Sequence, residues 1–301
     1  MMRTVSAVIP TVGRQSLTCA VQSVLDQTLP VEELIVVLDT DQAVNVPSHD
    51  RITVLRTPFR GGPAKARQLG IDAARGSVIA LLDDDDEWHP GKLERQLERV
   101  RTEPDPLWIV SSRMVMVGPG TRQRILPRRI IGPQQPLAEY WFRFSGLRQG
   151  GAALQTSTLC FPTELARKIR WDAHVGAAHD EPSWLINVQR TIPELRIIQL
   201  PDVLGTYNVQ HASESRSPSD CTESYIEWGL QYLSTESGRV LGDYLCTSPV
   251  SAAVSAGSLR GVRRSLQCAF QHGRPGPSAV AFALLSAARI LGHSTMSQVR
   301  R

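Results

Sequence analysis

The sequence predicts an α/β protein: a mainly parallel sheet flanked by helices over residues 1–212, then a helical extension over 213–301. Three observations carry this. Early in the chain, short runs that are apolar throughout alternate with segments of helical periodicity, the pattern of a parallel sheet covered on both faces. That alternation becomes irregular after about residue 107. Beyond the polar stretch ASESRSPSD, everything reads as helical pieces separated by Gly, Pro and Ser.

Taken in order, Val5 to Ile9 is a β-rich run closed by Pro10, and Leu17, Val21 and Val24 then fall at helical spacing before the apolar run Leu34 to Leu38. The pattern repeats, with a strand at Ile52 to Leu55, a helix at Ala64 to Ala74 opened by Gly61, Gly62 and Pro63, and a fully buried strand at Val78 to Leu82. Such alternation implies a Rossmann-like sheet. Pro90 starts a helix with Leu93, Leu97 and Val100 on one face and Glu and Arg residues on the other, a solvated surface. Further strands are expected at Leu107 to Val117 and Leu154 to Phe161, a helix at Glu181 to Arg190, and strands near Ile197 and Val203.

Composition narrows the class. A chain of 301 residues with 42% hydrophobic and 21% charged side chains is long enough for a real core and is neither disordered nor fibrous. The net charge is +4, yet the stretch from Arg260 to Arg301 holds seven arginines and no Asp or Glu, so the rest of the chain is mildly acidic. No basic stripe crosses the fold, which argues against a nucleic-acid partner. The five cysteines are scattered without a CxxC pair, which indicates neither a zinc site nor a disulfide framework and suits a reducing cytoplasm. The N-terminal apolar run is too short for a signal-peptide core or a membrane span. Arg outnumbers Lys thirty to three, as in GC-rich bacterial genomes.

In a parallel α/β sheet, ligands sit beyond the carboxyl ends of the strands, here the loops after Ile9, Leu38 and Leu82. These loops hold Thr11, Asp39 and the run Asp83, Asp84, Asp85, Asp86. Four adjacent carboxylates repel one another. At a strand end they suit a hard divalent cation, Mn²⁺ or Mg²⁺, bridging to the phosphates of a diphosphate partner. Spacing alone leaves Asp39 open between a contact to a base or ribose and a helix cap or turn.

The segments VSAVIPTVGR, ELIVVLDTD and RGGPAKARQLGIDAARGSVIALLDDDDEW, in that order and spacing, resemble the successive motifs of the family 2 glycosyltransferases of GT-A fold. The resemblance covers about Thr4 to His211. It implies an inverting transferase that moves a sugar from a nucleotide-sugar donor to a saccharide or lipid-linked acceptor. It further implies that Pro10, Thr11, Asp39, Gly62, Arg67, Asp83 and Asp84 lie on the donor side, with Asp85 the metal ligand of a DxD element. Departures fall at Leu38, where an Asp is common, and at Gln68, where Asn is common. Downstream, LQTSTLCFP and AAHDEPSWL resemble the acceptor segment and an ED-type motif in which His179 replaces the usual Glu. By that likeness Asp180 is the catalytic base, with Glu181 as rival; Thr156, Ser157 and Trp184 lie on the acceptor side, and His211 is a second candidate metal ligand.

Other classes fit less well. A sugar nucleotidyltransferase wants a glycine-rich basic loop after the first strand, where this chain has PTVGR, and an inactive nucleotide-sugar-binding relative remains the other alternative. The apolar segment SAVAFALLSAARILG, following a basic helix, is open to three readings: peripheral contact with anionic membrane, a homodimer contact, or a helical cap on the core.

Overall fold

A computed structural model describes residues 3–58, 60–101, 107–118, 120, 122–146, 151–175, 179–209 and 220–299, with side chains to residue 292. The chain divides into two compact units, Met1–Gln135 with Ala152–Ser213, and Pro136–Gly151 with Glu214–Arg301.

The first unit is an α/β fold around a nine-stranded sheet. Its elements are β1 (Val5–Thr11), α1 (Leu17–Leu25), β2 (Glu33–Leu38), β3 (Ile52–Arg56), α2 (Pro63–Ala73), β4 (Val78–Leu81), β5 (Glu87–Trp88), α3 (Lys92–Val100), β6 (Trp108–Val117) and β7 (Arg124–Leu126). In the second unit α4 (Leu137–Phe142) follows. The first unit resumes with a 3₁₀ turn (Thr156–Thr158), β8 (Cys160–Pro162), α5 (Thr163–Lys168), α6 (Asp180–Thr191) and β9 (Arg196–Asn208). The strand order is β3-β2-β1-β4-β8-β6-β9-β5, with β7 beside β6.

The strands β3, β2, β1 and β4 are parallel, as continuous apolar runs require, and every residue of β1, β2 and β4 is buried. The edge strand β3 is half exposed. From β1 the chain builds outward through β2 and β3, then returns to place β4 on β1's other side. The carboxyl ends of β1 and β4 therefore flank a topological switch point, where open α/β sheets bind ligands.

The second half of the sheet is mixed. The strand expected at Leu154 to Phe161 is instead the 3₁₀ turn followed by the short β8, which runs antiparallel to β4. Thr158 Oγ1 bonds back to the Gln155 carbonyl at 2.6 Å, an alternative to a strand ladder that its side chain supplies. The two strands expected near Ile197 and Val203 are the single β9, parallel to β6 with register shifts around Arg113.

Two glycines are required by position. Gly62 has φ of +81° just before α2, a left-handed conformation that lets the chain turn into Pro63. A Cβ on Gly70 would stand 2.4 Å from Val8 Cγ1, so glycine there allows α2 to lie close on β1.

The second unit is helical: α4, α7 (Thr222–Tyr232), α8 (Gly238–Leu245), α9 (Ser248–Ser255), α10 (Leu259–His272) and α11 (Pro277–Val299). Nothing in the composition of 136–151 announces that it packs with helices eighty residues later in the chain. Yet the Phe142 ring lies 5.0 Å from Tyr244 and 5.8 Å from Trp228. Fully buried Asp243 accepts hydrogen bonds from Phe144 N (3.0 Å), Arg239 Nε (2.8 Å) and Gly276 N (2.7 Å). Among the described residues, no helix is long and apolar enough to cross a membrane.

Candidate active site

The acidic loop follows β4 directly, and its carboxylates alternate. Asp84 and Asp86 are each 1% exposed, whereas Asp83 and Asp85 are half-buried. Asp84 turns inward to accept hydrogen bonds from Thr11 Oγ1 at 2.5 Å and from Arg14, so the loop is pinned to the end of β1 across the switch point. Asp86 accepts from Ser157 Oγ at 2.6 Å and Asn208 N at 3.1 Å, and the same Ser157 hydroxyl accepts from Asp83 N at 3.1 Å. Burial, reinforced by Asp83, pushes the Asp86 carboxyl well above its usual range.

Asp85 is different. Among the described residues its carboxylate forms no ion pair and no hydrogen bond to another side chain; it meets its own backbone N–H, and its carbonyl accepts from Asn208 Nδ2 at 2.9 Å. Burial and the adjacent Asp83 charge raise it to about 6. A carboxylate raised by burial and by its acidic neighbours, with Arg14 offsetting only part, is one that a cation stabilises. The described residues hold no group of three or more His, Cys, Asp or Glu able to surround a metal. They do offer one or two hard carboxylate oxygens, the donor set with which Mg²⁺ is held when phosphate oxygens complete the shell. The residues therefore fit a phosphate-bridging divalent cation and not an all-protein cage.

Behind the loop, Arg67 on α2 joins two carboxylates. Its Nη2 donates to Asp83 Oδ1 at 2.7 Å and its Nη1 to Asp180 Oδ2, while the guanidinium lies 5.2 Å from the centroid of the Trp171 ring. Burial alone would lower its pKa, but Asp83 and Asp180 together raise it, so the cation is permanent. Among the described residues its Nε and the Trp171 Nε1 are buried without a hydrogen-bond partner.

Asp180 opens α6, and its Oδ1 accepts from Glu181 N at 2.7 Å. Glu181 accepts from Thr156 Oγ1 at 2.6 Å, and burial raises its carboxyl to about 8. The His179 imidazole is driven down by burial to about 4 and stays neutral near pH 7.

These shifts give a testable pH dependence. Glu181 binds its proton more tightly folded than unfolded, so its contribution is full below about 4.5 and is lost as pH rises toward about 8. His179 works in the opposite sense, but only below its unfolded value of 6.5. Between pH 6.5 and 8 the wild-type melting temperature should therefore decline, and Glu181→Gln should flatten that decline. Parallel curves for the two proteins across that window would refute the assignment.

The other expected residues fall as follows. Asp39 is buried and accepts from Thr57 Oγ1 (2.5 Å), Gly61 N (2.7 Å) and Gly62 N (2.8 Å). It satisfies backbone donors at the entry to α2 from far along the chain, the turn-Asp role that spacing left open. Pro10 is buried within β1 opposite Val37. Thr156 and Ser157 are 4% and 0% exposed, as enclosed as Asp180, and their hydroxyls donate to Glu181 and Asp86.

Trp184 is enclosed in the same way. It is fully buried, donates Nε1–H to the Ile169 carbonyl at 2.7 Å, and stacks on Trp171 at 4.8 Å with the rings 8° apart. A large indole whose one donor is met internally serves the core. His211 lies outside the described residues. Arg14, Trp171 and Asn208 were not singled out by the sequence reading; the one available signal was a lone Arg shortly after β1 in a chain whose next strand end carries four acids.

Fold and site define an α/β protein with a carboxylate loop at the carboxyl edge of its parallel half-sheet. The chain belongs to glycosyl transferase family 2, whose profile matches residues 6–167. Curated relatives include the amylovoran biosynthesis glycosyltransferase AmsB of Erwinia amylovora, 33% identical over 144 residues, covering 44% of this chain and 45% of AmsB. Another is the UDP-Glc:alpha-D-GlcNAc-diphosphoundecaprenol beta-1,3-glucosyltransferase WfgD of Escherichia coli, 35% identical over 100 residues, covering 31% of this chain and 39% of WfgD. The matched segment spans less than half the length of these relatives. Among solved structures, S. aureus TarS residues 1–349 aligns with a TM-score of 0.58 at 17% identity, covering 95% of this chain and 88% of that one. Its complex with UDP-GlcNAc aligns at 0.56 and 13% identity, covering 88% and 81%. At these identities the likeness is one of fold.

Proposed function

We propose that this protein is an inverting glycosyltransferase using a nucleoside-diphosphate sugar, a divalent metal at Asp85 and Asp180 as base. The observation that carries the reading is the alternation of the acidic loop, which anchors Asp84 and Asp86 inward and leaves Asp83 and Asp85 half-buried. Mn²⁺ or Mg²⁺ held by Asp85 would neutralise the charge developing on the diphosphate leaving group. Arg67 fixes Asp83 on that side and holds Asp180 in place on the other, where a carboxylate oxygen would accept the proton of the attacking hydroxyl. Glu181, pushed up to about 8, is protonated near pH 7 and is the poorer base. One base and one displacement invert the anomeric carbon.

A uridine donor is supported by the UDP-GlcNAc complex of TarS, and a saccharide or lipid-linked acceptor by the name of WfgD. The test is thermal unfolding with UDP-, GDP- and dTDP-sugars, each with and without Mn²⁺ or Mg²⁺, followed by NMR of the product anomer. One nucleotide sugar should stabilise the fold only with metal and be slowly hydrolysed. Retained stereochemistry would refute single displacement, and binding without any turnover would point to an inactive relative.

A further inference from the structure

In the helical unit, α11 is apolar on both sides. Its inner side places Ala283 and Ile290 in a cluster with Val250, Ala253 and Val262. On its outer side Leu284, Leu285 and Leu291 are 58%, 51% and 54% exposed. Leu284, Ala288 and Leu291 stand at i, i+4 and i+7, one stripe of a helix face, and Ala288 is exposed as well. Single exposed leucines are ordinary, but a continuous stripe marks a surface that something covers.

Charge decides what covers it. The only formally charged residue of α11 is Arg289, beside the stripe, and the chain from Arg260 to Arg301 has seven arginines and no acid. On α10, Arg260, Arg263 and Arg264 are exposed, and so is the ring of Phe270 at 62%. Arg264 meets Glu223 of α7 at 3.2 Å. A two-fold contact through α11 would set Arg289 against its own copy with no acid on either helix, whereas the α10 arginines share a groove with Asp220 and Glu223. Anionic phospholipid supplies an apolar layer for the leucines and a counter-charge for Arg289 beside them.

We infer that the outer face of α11, with the basic run around it, docks on an anionic lipid surface. The inference is independent of the proposed chemistry and would serve it, since a lipid-linked acceptor is presented at such a surface. The test floats the full chain with vesicles of phosphatidylcholine alone or containing one third phosphatidylglycerol. A parallel sample uses the variant Leu284→Ser, Leu285→Ser, Leu291→Ser.

Wild type should float with the anionic vesicles at least about tenfold better than with neutral ones, and lose this in high salt as the Debye length shrinks. The triple variant should lose about tenfold in binding with melting temperature and donor hydrolysis unchanged. Wild type that stays unbound, or floats equally with neutral vesicles, overturns the inference. So does a triple variant that still floats. A wild-type dimer by light scattering that the triple variant splits assigns the face to a second copy instead. If the triple variant melts early, Leu284→Ser alone and the salt series decide. Donor hydrolysis without flotation overturns docking only, and flotation without hydrolysis overturns the catalytic reading only.

Discussion

Replacing Asp85 by Asn should abolish metal-dependent protection by the donor and slow transfer by about a thousandfold, the rate equivalent of the several kcal/mol a Lewis acid supplies. Folding should not suffer, because the carboxylate makes no ion pair among the described residues and sits against Asp83 in a field that raises its pKa to about 6. Asp84→Asn should behave in the opposite way. Asp84 holds Arg14 and Thr11, so its loss strands a buried donor and costs about 1–3 kcal/mol in urea unfolding, with metal response retained in the folded fraction. Running both variants through the same unfolding and donor-protection assays locates the metal register within the four-Asp run. If Asp84→Asn were the one to lose metal response at full stability, the outward pair would be misassigned.

The second large effect is expected at Arg67. Its guanidinium is 6% exposed and bridges Asp83 to an equally buried Asp180. Arg67→Met keeps the volume and removes the cation, leaving the Asp180 carboxylate buried without its partner. Breaking such a pair from one side costs about 3–5 kcal/mol. The lower end is expected, since Asp83 is 29% exposed and can recover water. Arg67→Lys should restore only part, because an ammonium cannot fork to two carboxylates. Adding Asp180→Asn to Arg67→Met should recover stability without activity. An Arg67→Met protein as stable as wild type would show that the bridge is not what holds α6 to the loop.

The parallel half of the sheet was legible because strands buried on both faces need unbroken apolar runs, and ELIVVL and VIAL are such runs. The second half was not. β8 has three residues and β5 two, lengths at which periodicity carries no signal, and each is fixed by its neighbour across the sheet. At the site, the identities of the acids were readable but their directions were not. Which of four adjacent carboxylates turns inward depends on Thr11, Arg14, Ser157 and Asn208, which are distant in sequence. Trp184 meets the same limit, since beside a motif an indole reads equally well as a pocket wall or as core.

The helical unit is assembled from two separated stretches, and this bears on how the protein is made. When Phe142 is added to the nascent chain, Trp228 and Tyr244, on which its ring packs, are still on the order of a hundred residues from being synthesised, a wait of about 5–20 s at ordinary elongation rates. During that interval α4 is an apolar segment without its partners, tethered within a nascent chain whose preceding strands can already pair. Ending the chain at Ser213 would make that transient state permanent, so the transferase region cannot be trimmed to its α/β unit without also excising α4.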